Sequence, residues 1–495
     1  MAPLLTHSSL FIFSFKGKTD MKKSVVRIIC FCMVLISVLY YTNKVFKVKS
    51  NIGISVFTKF YALEKDTVDV LILGSSHAFM DINTGTLWDE YGMAAYVLGG
   101  AAQPMWNTYY YLKEALKYQT PKLIVLEGYT IIDKDFQKDD WIIANNYGLK
   151  WSKNKIDSIK ESVPRERWSE FFLEYIQYHT RYKELSREDF FNGEVPHKTY
   201  KGFINLMNTT SLEAPDVAGI TERGEIYEKP EKYYKMIIEL AQSKNIPILV
   251  VISPYGEING ERQKIYNKAE DIACEYGVPF VNYNLLINEI GLDFSSDVAD
   301  AQHLNYRGSQ KYAKALGKYI KENFDIPNRI GDGKYQTWQD NAYEISVEIA
   351  NQSLRETTDM EEIVDKISKT NYVLIASADG NCRFSEERLR GLCNVIGITA
   401  EGGYEGIYYI DNDRGLTFHV SGDEERQYVR LDPHDLCMER KLDGDKATYV
   451  NKIVIDWIEY HKVKNGINVV VYDKVTQSVA DSFGINKDDD YNIVR

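Results

Sequence analysis

Two short stretches of this 495-residue chain hold side chains that could do chemistry together. Leu73-Gly74-Ser75-Ser76-His77 places small residues at the end of an apolar run, with a helical pattern to follow. A turn of that kind lifts a hydroxyl above a sheet edge, and the first amides of the next helix favour negative charge developing there. Gly and Ser are also ordinary turn residues, so the stretch alone reads equally as a plain connection. Far downstream, Asp300-Ala301-Gln302-His303 stands just before the last helical pattern of the same region. A carboxylate and an imidazole three residues apart can face one crevice, with His303 as base and Asp300 fixing its tautomer. The alternative is that Asp300 caps the closing helix and His303 packs beside it.

The elements that must position these residues are legible in outline. Residues 68–73 (VDVLIL), 123–126 (LIVL), 246–252 (IPILVVI) and 278–283 (VPFVNY) are short apolar runs of the kind that become fully buried parallel strands. Helical patterns accompany them at 106–118, 230–243, 261–276 and 308–324. Such alternation implies right-handed crossovers and a doubly wound α/β sheet over residues 60–325. From 132 to 229 the rhythm stops and the chain turns helical, aromatic and charged, as in WSEFFLEYIQYHTRYKEL. This reads as a helical insertion over the sheet's C-terminal edge, either a lid or substrate wall or a supporting subdomain. Residues 326–340 carry Pro, Gly and polar residues without periodicity, the pattern of a linker. Residues 341–495 read as a smaller α+β module, with strands expected at 343–349, 372–376, 406–410, 452–455 and 467–472 and helices at 359–368 and 385–396.

Location follows from residues 24–41 (SVVRIICFCMVLISVLYY), long enough to span a membrane and interrupted only by Arg27, which can snorkel. Lysines flank both ends, so charge does not set the orientation. No A-x-A-like cleavage site follows, which favours an uncleaved anchor with residues 1–23 cytoplasmic and the rest translocated. Met21-Lys22-Lys23 would make a natural start. A net charge of -12 repels a phosphate backbone, which excludes nucleic acid as the expected partner. Cys30 and Cys32 lie in the anchor, while Cys274, Cys382, Cys393 and Cys437 fit no zinc spacing; a disulfide among the last three stays open. With no phosphate loop, dinucleotide fingerprint or metal cluster, no cofactor or metal is expected.

Ser76 after the first strand of a parallel α/β unit, with D-x-x-H before its last helix, resembles the SGNH (GDSL-like) hydrolase superfamily. Within it the chain is most similar to the membrane-anchored members that serve O-acylation of surface polysaccharides, the alginate acetylation proteins and the DltD protein of teichoic acid D-alanylation. The resemblance implies a flavodoxin-like three-layer fold, with Ser76 as nucleophile and His303 and Asp300 as base and orienting acid. It also implies an oxyanion hole from Ser76 and a glycine after the second strand, Gly99 or Gly100 in Tyr96-Val97-Leu98-Gly99-Gly100-Ala101-Ala102-Gln103. The same glycines would suit a tight strand-to-helix turn. The sequence departs from the family at the G-x-N-D element, where Leu126-Glu127-Gly128-Tyr129 has no asparagine. Asn107 or the Asn145-Asn146 pair could supply that amide. His77, Glu127 and Asn107 are further candidates for substrate contact, although His77 could equally satisfy backbone and Glu127 could be solvated or cap a helix.

The implied function is transfer of an acetyl or similar acyl group through Ser76 to a hydroxyl of an extracytoplasmic polysaccharide, with a membrane O-acyltransferase as donor partner. An esterase using water as acceptor and a noncatalytic glycan-binding scaffold are the alternatives. A second likeness lies in the C-terminal module. Lys464-Asn465-Gly466-Ile467-Asn468-Val469-Val470-Val471-Tyr472-Asp473 with Asp481-Ser482-Phe483, and Tyr372-Val373-Leu374-Ile375-Ala376-Ser377-Ala378-Asp379-Gly380, resemble strands of the interleukin-like EMT inducer or stem-type domain, in inverted order. That likeness implies carbohydrate binding.

Overall fold

The computed structural model describes residues 18–47, 52–134, 137–172, 177–185, 187–190, 199–379, 387–397, 405–421, 425–442, 449–489 and 491–495. The chain opens on α1 (Lys18–Phe46) and α2 (Ile52–Tyr61). Over Lys22–Phe46, α1 is apolar and long enough to cross a membrane, and its apolar stretch is not buried against the rest of the chain.

The α/β unit then runs β1 (Val70–Gly74), α3 (Ser76–Asp81), α4 (Thr84–Tyr91), β2 (Ala95–Gly99), α5 (Met105–Ala115) and β3 (Leu123–Glu127). Between β3 and β4 lie α6 (Asp139–Asn146), α7 (Lys153–Ser162), α8 (Trp168–Phe172), α9 (Arg187–Phe190) and α10 (Glu228–Ser243). It ends with β4 (Ile248–Ile252), α11 (Gly260–Glu275), β5 (Phe280–Asn282) and α12 (Tyr306–Asn323). The five strands make one parallel sheet in the order β2-β1-β3-β4-β5, so the winding reverses between β1 and β3, where sheets of this kind open a crevice.

Period-two alternation sends the strand side chains to two cores. Leu71, Leu73, Leu98, Leu126 and Val250 pack under α2, α5, α10 and α11, while Val70, Ile72, Val97, Val125 and Val251 pack under α3, α4 and α12. Each such buried aliphatic is worth about 1.5–3 kcal/mol, which is why five short strands hold.

The described helices of the insertion at 132–229 end at Phe190 and resume only at Glu228. Its helices lie against α2 and α5, as where Asn154 Nδ2 donates to Tyr110 O at 2.9 Å. Residues 199–227 form a strap without helix, contrary to expectation. It crosses the unit by pairing with distant backbone: Ile204 N donates to Phe79 O at 2.7 Å, Tyr306 N to Leu206 O at 2.8 Å, and Thr210 N to Val298 O at 2.9 Å. Because its amides are satisfied by remote partners, no local period is needed, and none is visible.

The expected linker at 326–340 is also corrected. Arg329 makes two bonds to Asp69, at 2.7 and 2.9 Å, and Tyr335 and Trp338 are buried in the first core. From there α13 (Gln336–Glu356) continues through residues 343–349, which are helix and not strand. Ile345, Val347 and Ile349 alternate as in a strand, but Trp338, Ala342, Ile345 and Ile349 keep the 4, 3, 4 spacing of one helix face. The same helix plants Leu354 in a core of the C-terminal module.

That module carries α14 (Met360–Ile367) and α15 (Glu387–Val395) on a six-stranded antiparallel sheet. Its strands are β6 (Tyr372–Asp379), β7 (Gly406–Asp411), β8 (Leu416–Val420), β13 (Gly466–Asp473), β14 (Ser478–Asn486) and β15 (Asn492–Val494). A four-stranded sheet of β9 (Glu425–Leu431), β10 (His434–Leu442), β11 (Tyr449–Ile455) and β12 (Ile458–Glu459) packs on its other face. Cys274, Cys393 and Cys437 are free thiols, and Cys382 lies outside the described residues.

Candidate active site

Ser76 is the first residue of α3, immediately beyond the tip of β1. His303 and Asp300 sit on the loop that precedes α12. His303 Nε2 lies 2.8 Å from Ser76 Oγ, and its Nδ1 lies 3.1 Å from both Asp300 oxygens. Asp300 also accepts the amides of Gln302 and His303, at 2.7 and 2.9 Å. Partial burial works to raise the Asp300 pKa, but these amides and the imidazole outweigh it and hold the carboxyl below its ordinary range. Asp300 does not cap the closing helix; Asn305 does, accepting from Arg307 N and Gly308 N. Ser76 is half-buried and the Asp300 side chain is 53% exposed, so the group opens to solvent on the acid's side.

The glycine loop adjoins the serine because Gly99 pairs with Gly74 across the β1–β2 register. Fully buried Asn145, from α6, donates Nδ2 to Ala101 O at 3.0 Å and lies so close over Gly100 that a Cβ there would come within 2.0 Å of its Oδ1. Only glycine fits. Asn107 and Asn146, the other asparagines raised for this region, are closed into a buried knot with Ser158 and Ser162.

His77, Glu127 and Asn107 do not face the crevice as expected of substrate contacts; each is at most 1% exposed. His77 stacks on Tyr129 with ring centroids 3.9 Å apart, and its Nδ1 is 3.2 Å from Asp81 Oδ2 without forming a hydrogen bond. Burial lowers its pKa to about 4, keeping the ring neutral. Glu127 packs against Gly74, where a Cβ would meet its own at 2.7 Å, and accepts from Tyr129 N at 3.1 Å. Burial pushes Glu127 up to about 7. Asn107 belongs to the knot above. His77 and Glu127 thus form a floor beneath the site.

Two features escaped the sequence reading. Asp81, at the far end of α3, is fully buried and accepts Leu304 N at 2.8 Å, next to His303. Burial raises its carboxyl well above the ordinary value. Its signal was the His77-x-x-x-Asp81 spacing, which stacks both groups on one helix face. The second is a rim: Tyr129 OH donates to Gln302 Oε1 at 3.1 Å, Gln302 Nε2 donates to Glu257, and the Arg262 guanidinium lies 5.9 Å from the Tyr129 ring. These come from separate stretches of the chain, Arg262 from α11 and the others from connections after β3, after β4 and before α12, and had no common sequence signature.

No family model matches the chain, and no curated protein matches it. Among solved structures it is similar to a Bacteroides fragilis protein described as a "putative acylhydrolase", at 11% identity and a TM-score of 0.27, over 54% of this chain and 93% of that one.

Proposed function

We propose that the chain is a serine-dependent acyl-handling enzyme of the SGNH type, held by α1 with its α/β unit on the extracytoplasmic side. In this reading it moves an acetyl or similar acyl group onto a hydroxyl of an envelope polysaccharide, with a membrane O-acyltransferase as donor. The observation that carries it is the contact of Ser76 Oγ with His303 Nε2 at 2.8 Å, with His303 held in turn by Asp300. His303 takes the proton as Oγ attacks the acyl carbonyl. The tetrahedral oxyanion forms beside Ser76 and the Gly99-Gly100 loop, where each well-aimed amide would stabilise it by about 3 kcal/mol. Collapse breaks the bond to the donor, whose leaving oxygen receives the proton from His303. A glycan hydroxyl then gives its proton to His303 and attacks the acyl-serine, and Ser76 recovers the proton as it leaves. Asp300 remains ionised throughout and stabilises the imidazolium. The C-terminal sheets stand in this reading as a glycan-binding module, on the likeness of the β13 and β6 segments.

The test is turnover of a chromogenic acetyl ester by the detergent-solubilised chain, with and without oligosaccharide. Ser76→Ala should lower the rate by about 10³-fold or more. Acylated oligosaccharide formed in preference to free acid supports transfer; fast release into water alone would leave an esterase. An Ser76→Ala protein as active as the parent would end the serine reading.

A further inference from the structure

A cavity of about 290 Å³ opens where three elements meet: the strap supplies Asn205 and Met207, α13 supplies Glu348 and Arg355, and the turn into β14 supplies Thr476 and Ser478. It thus lies between the α/β unit and the C-terminal module, where small-molecule sites are commonly built, and just under the roughly 300 Å³ at which such sites begin. That is room for one ring. Asn205 is the anomaly in it. Its Oδ1 and Nδ2 are both buried without a hydrogen-bond partner, which holds for no other buried side-chain amide among the described residues. A buried donor and acceptor left unmade each cost their desolvation, so such groups ordinarily find partners.

The strap cannot carry this amide away to solvent, because Ile204 N on one side of it donates to Phe79 O at 2.7 Å and Leu206 O on the other accepts Tyr306 N at 2.8 Å. Rotation about χ2, a soft torsion in asparagine, turns it toward the cavity without breaking a hydrogen bond, since it makes none. The rest of the lining decides what it would meet. Met207 is the one apolar side chain there among the described residues. Both charged groups are already engaged: Glu348 accepts the Tyr200 hydroxyl, while Arg355 places Nε on Ala480 O at 2.6 Å and Nη2 on Val479 O at 3.3 Å. The guanidinium therefore has no parallel fork to offer a carboxylate or phosphate. Single donors and acceptors remain, among them its leftover N–H groups and the Thr476 and Ser478 hydroxyls, 2.9 Å apart.

We propose that this cavity binds one neutral sugar ring, with adjacent hydroxyls donating to Oδ1 and accepting from Nδ2 of Asn205. A pair of neighbouring hydroxyls offers the donor and the acceptor that one amide needs, which neither a lone anion nor an apolar ligand can do. A hydroxyl on the opposite edge of the ring meets Arg355 and Ser478, which are exposed, so the sugar enters and could continue into a longer glycan on that side. Met207 covers the ring's apolar edge. The inference rests on the reading of the C-terminal sheets as glycan-binding and gives that reading a place; it requires nothing of Ser76.

Calorimetry and saturation-transfer NMR on the full chain, solubilised in a detergent without a sugar headgroup, test it with the methyl glycosides of glucose, galactose, mannose and N-acetylglucosamine, and with alanine as a small zwitterion. At least one glycoside should bind and alanine should not. Asn205→Leu keeps the side chain's bulk and should weaken that binding about tenfold or more, while the melting temperature of the sugar-free chain stays level or rises because two orphaned groups are gone. Ser478→Ala, on the exposed side, serves if the strap variant fails to fold and should weaken binding severalfold. Affinity electrophoresis through gels containing dextran, mannan or alginate runs beside these titrations. Glycoside binding weakened in both variants supports the site. Retardation by a polysaccharide, with glycoside binding absent or equal in the parent and both variants, overturns this site and leaves the glycan-binding reading standing. No sugar bound in any arm overturns both, and binding of alanine alone overturns the neutral ligand.

Discussion

Asp81 holds Ser76 and His303 at a fixed separation, because it ends the helix that begins with Ser76 and accepts the amide beside His303. Asp81→Asn keeps an acceptor for Leu304 N and should change ester turnover by less than about threefold. Asp81→Ala orphans a buried amide, at about 1–3 kcal/mol. Its kcat should drop tenfold or more with KM little changed, and a loss confined to KM would argue against a positioning role. Glu127 makes a separate prediction. Its pKa rises from 4.5 to about 7 on burial, so the folded chain keeps a proton that the unfolded chain releases, and stability present at low pH is lost as pH climbs through about 7. Glu127→Gln removes that ionisation and keeps an acceptor for Tyr129 N. Between pH 5 and 8 the parent's melting temperature should therefore fall relative to the variant's, by the equivalent of up to about 3 kcal/mol. His77 acts in the opposite direction below pH 6.5 but is common to both proteins; parallel melting curves would mean Glu127 does not titrate in this range. That Ser76, His303 and Asp300 would meet was legible because few side chains can serve as nucleophile, base and orienting acid, which singled them out as candidates. Which way His77 and Glu127 point was not, since a side chain at a strand tip or at the start of the helix beyond one can enter the crevice or the floor with equal local cost.

At the scale of elements, the parallel strands were legible in Val70-Leu71-Ile72-Leu73 and Leu123-Ile124-Val125-Leu126, where sequence and burial coincide, whereas the equally buried β2 was implied only by the family resemblance. The strap at 199–227 was opaque because its partners are Phe79, Val298 and other remote positions. Helix α13 was misread in part because its alternation of Ile345, Val347 and Ile349 mimics a strand, while its anchoring face begins back at Trp338. Trp338 is 3% exposed and donates its indole N–H to Ala95 O at 3.0 Å, on the edge strand of the parallel sheet. Trp338→Ala should cost about 3–5 kcal/mol, read as a lower denaturant midpoint. A loss under 1 kcal/mol would show that the helix merely lies on the sheet.

Across the whole molecule, α13 belongs to both halves. Tyr335, Trp338 and Ala342 fill the α/β core, whereas Leu354 fills a core of the C-terminal module and Asn351 joins Asp473 and Tyr372 by bonds of 2.7 Å each. Tyr306, at the start of α12, bonds Glu356 at 2.8 Å, so the loop bearing His303 is braced by the same helix. The chain is therefore poorly severable. Cutting it by protease near Gly331 would strip the edge strand of its indole cover and leave the other fragment with a helix half-dressed in greasy side chains. Neither piece would be a self-sufficient module, and trimming the protein to its first 325 residues would sacrifice a wall that the sheet carrying Ser76 depends on.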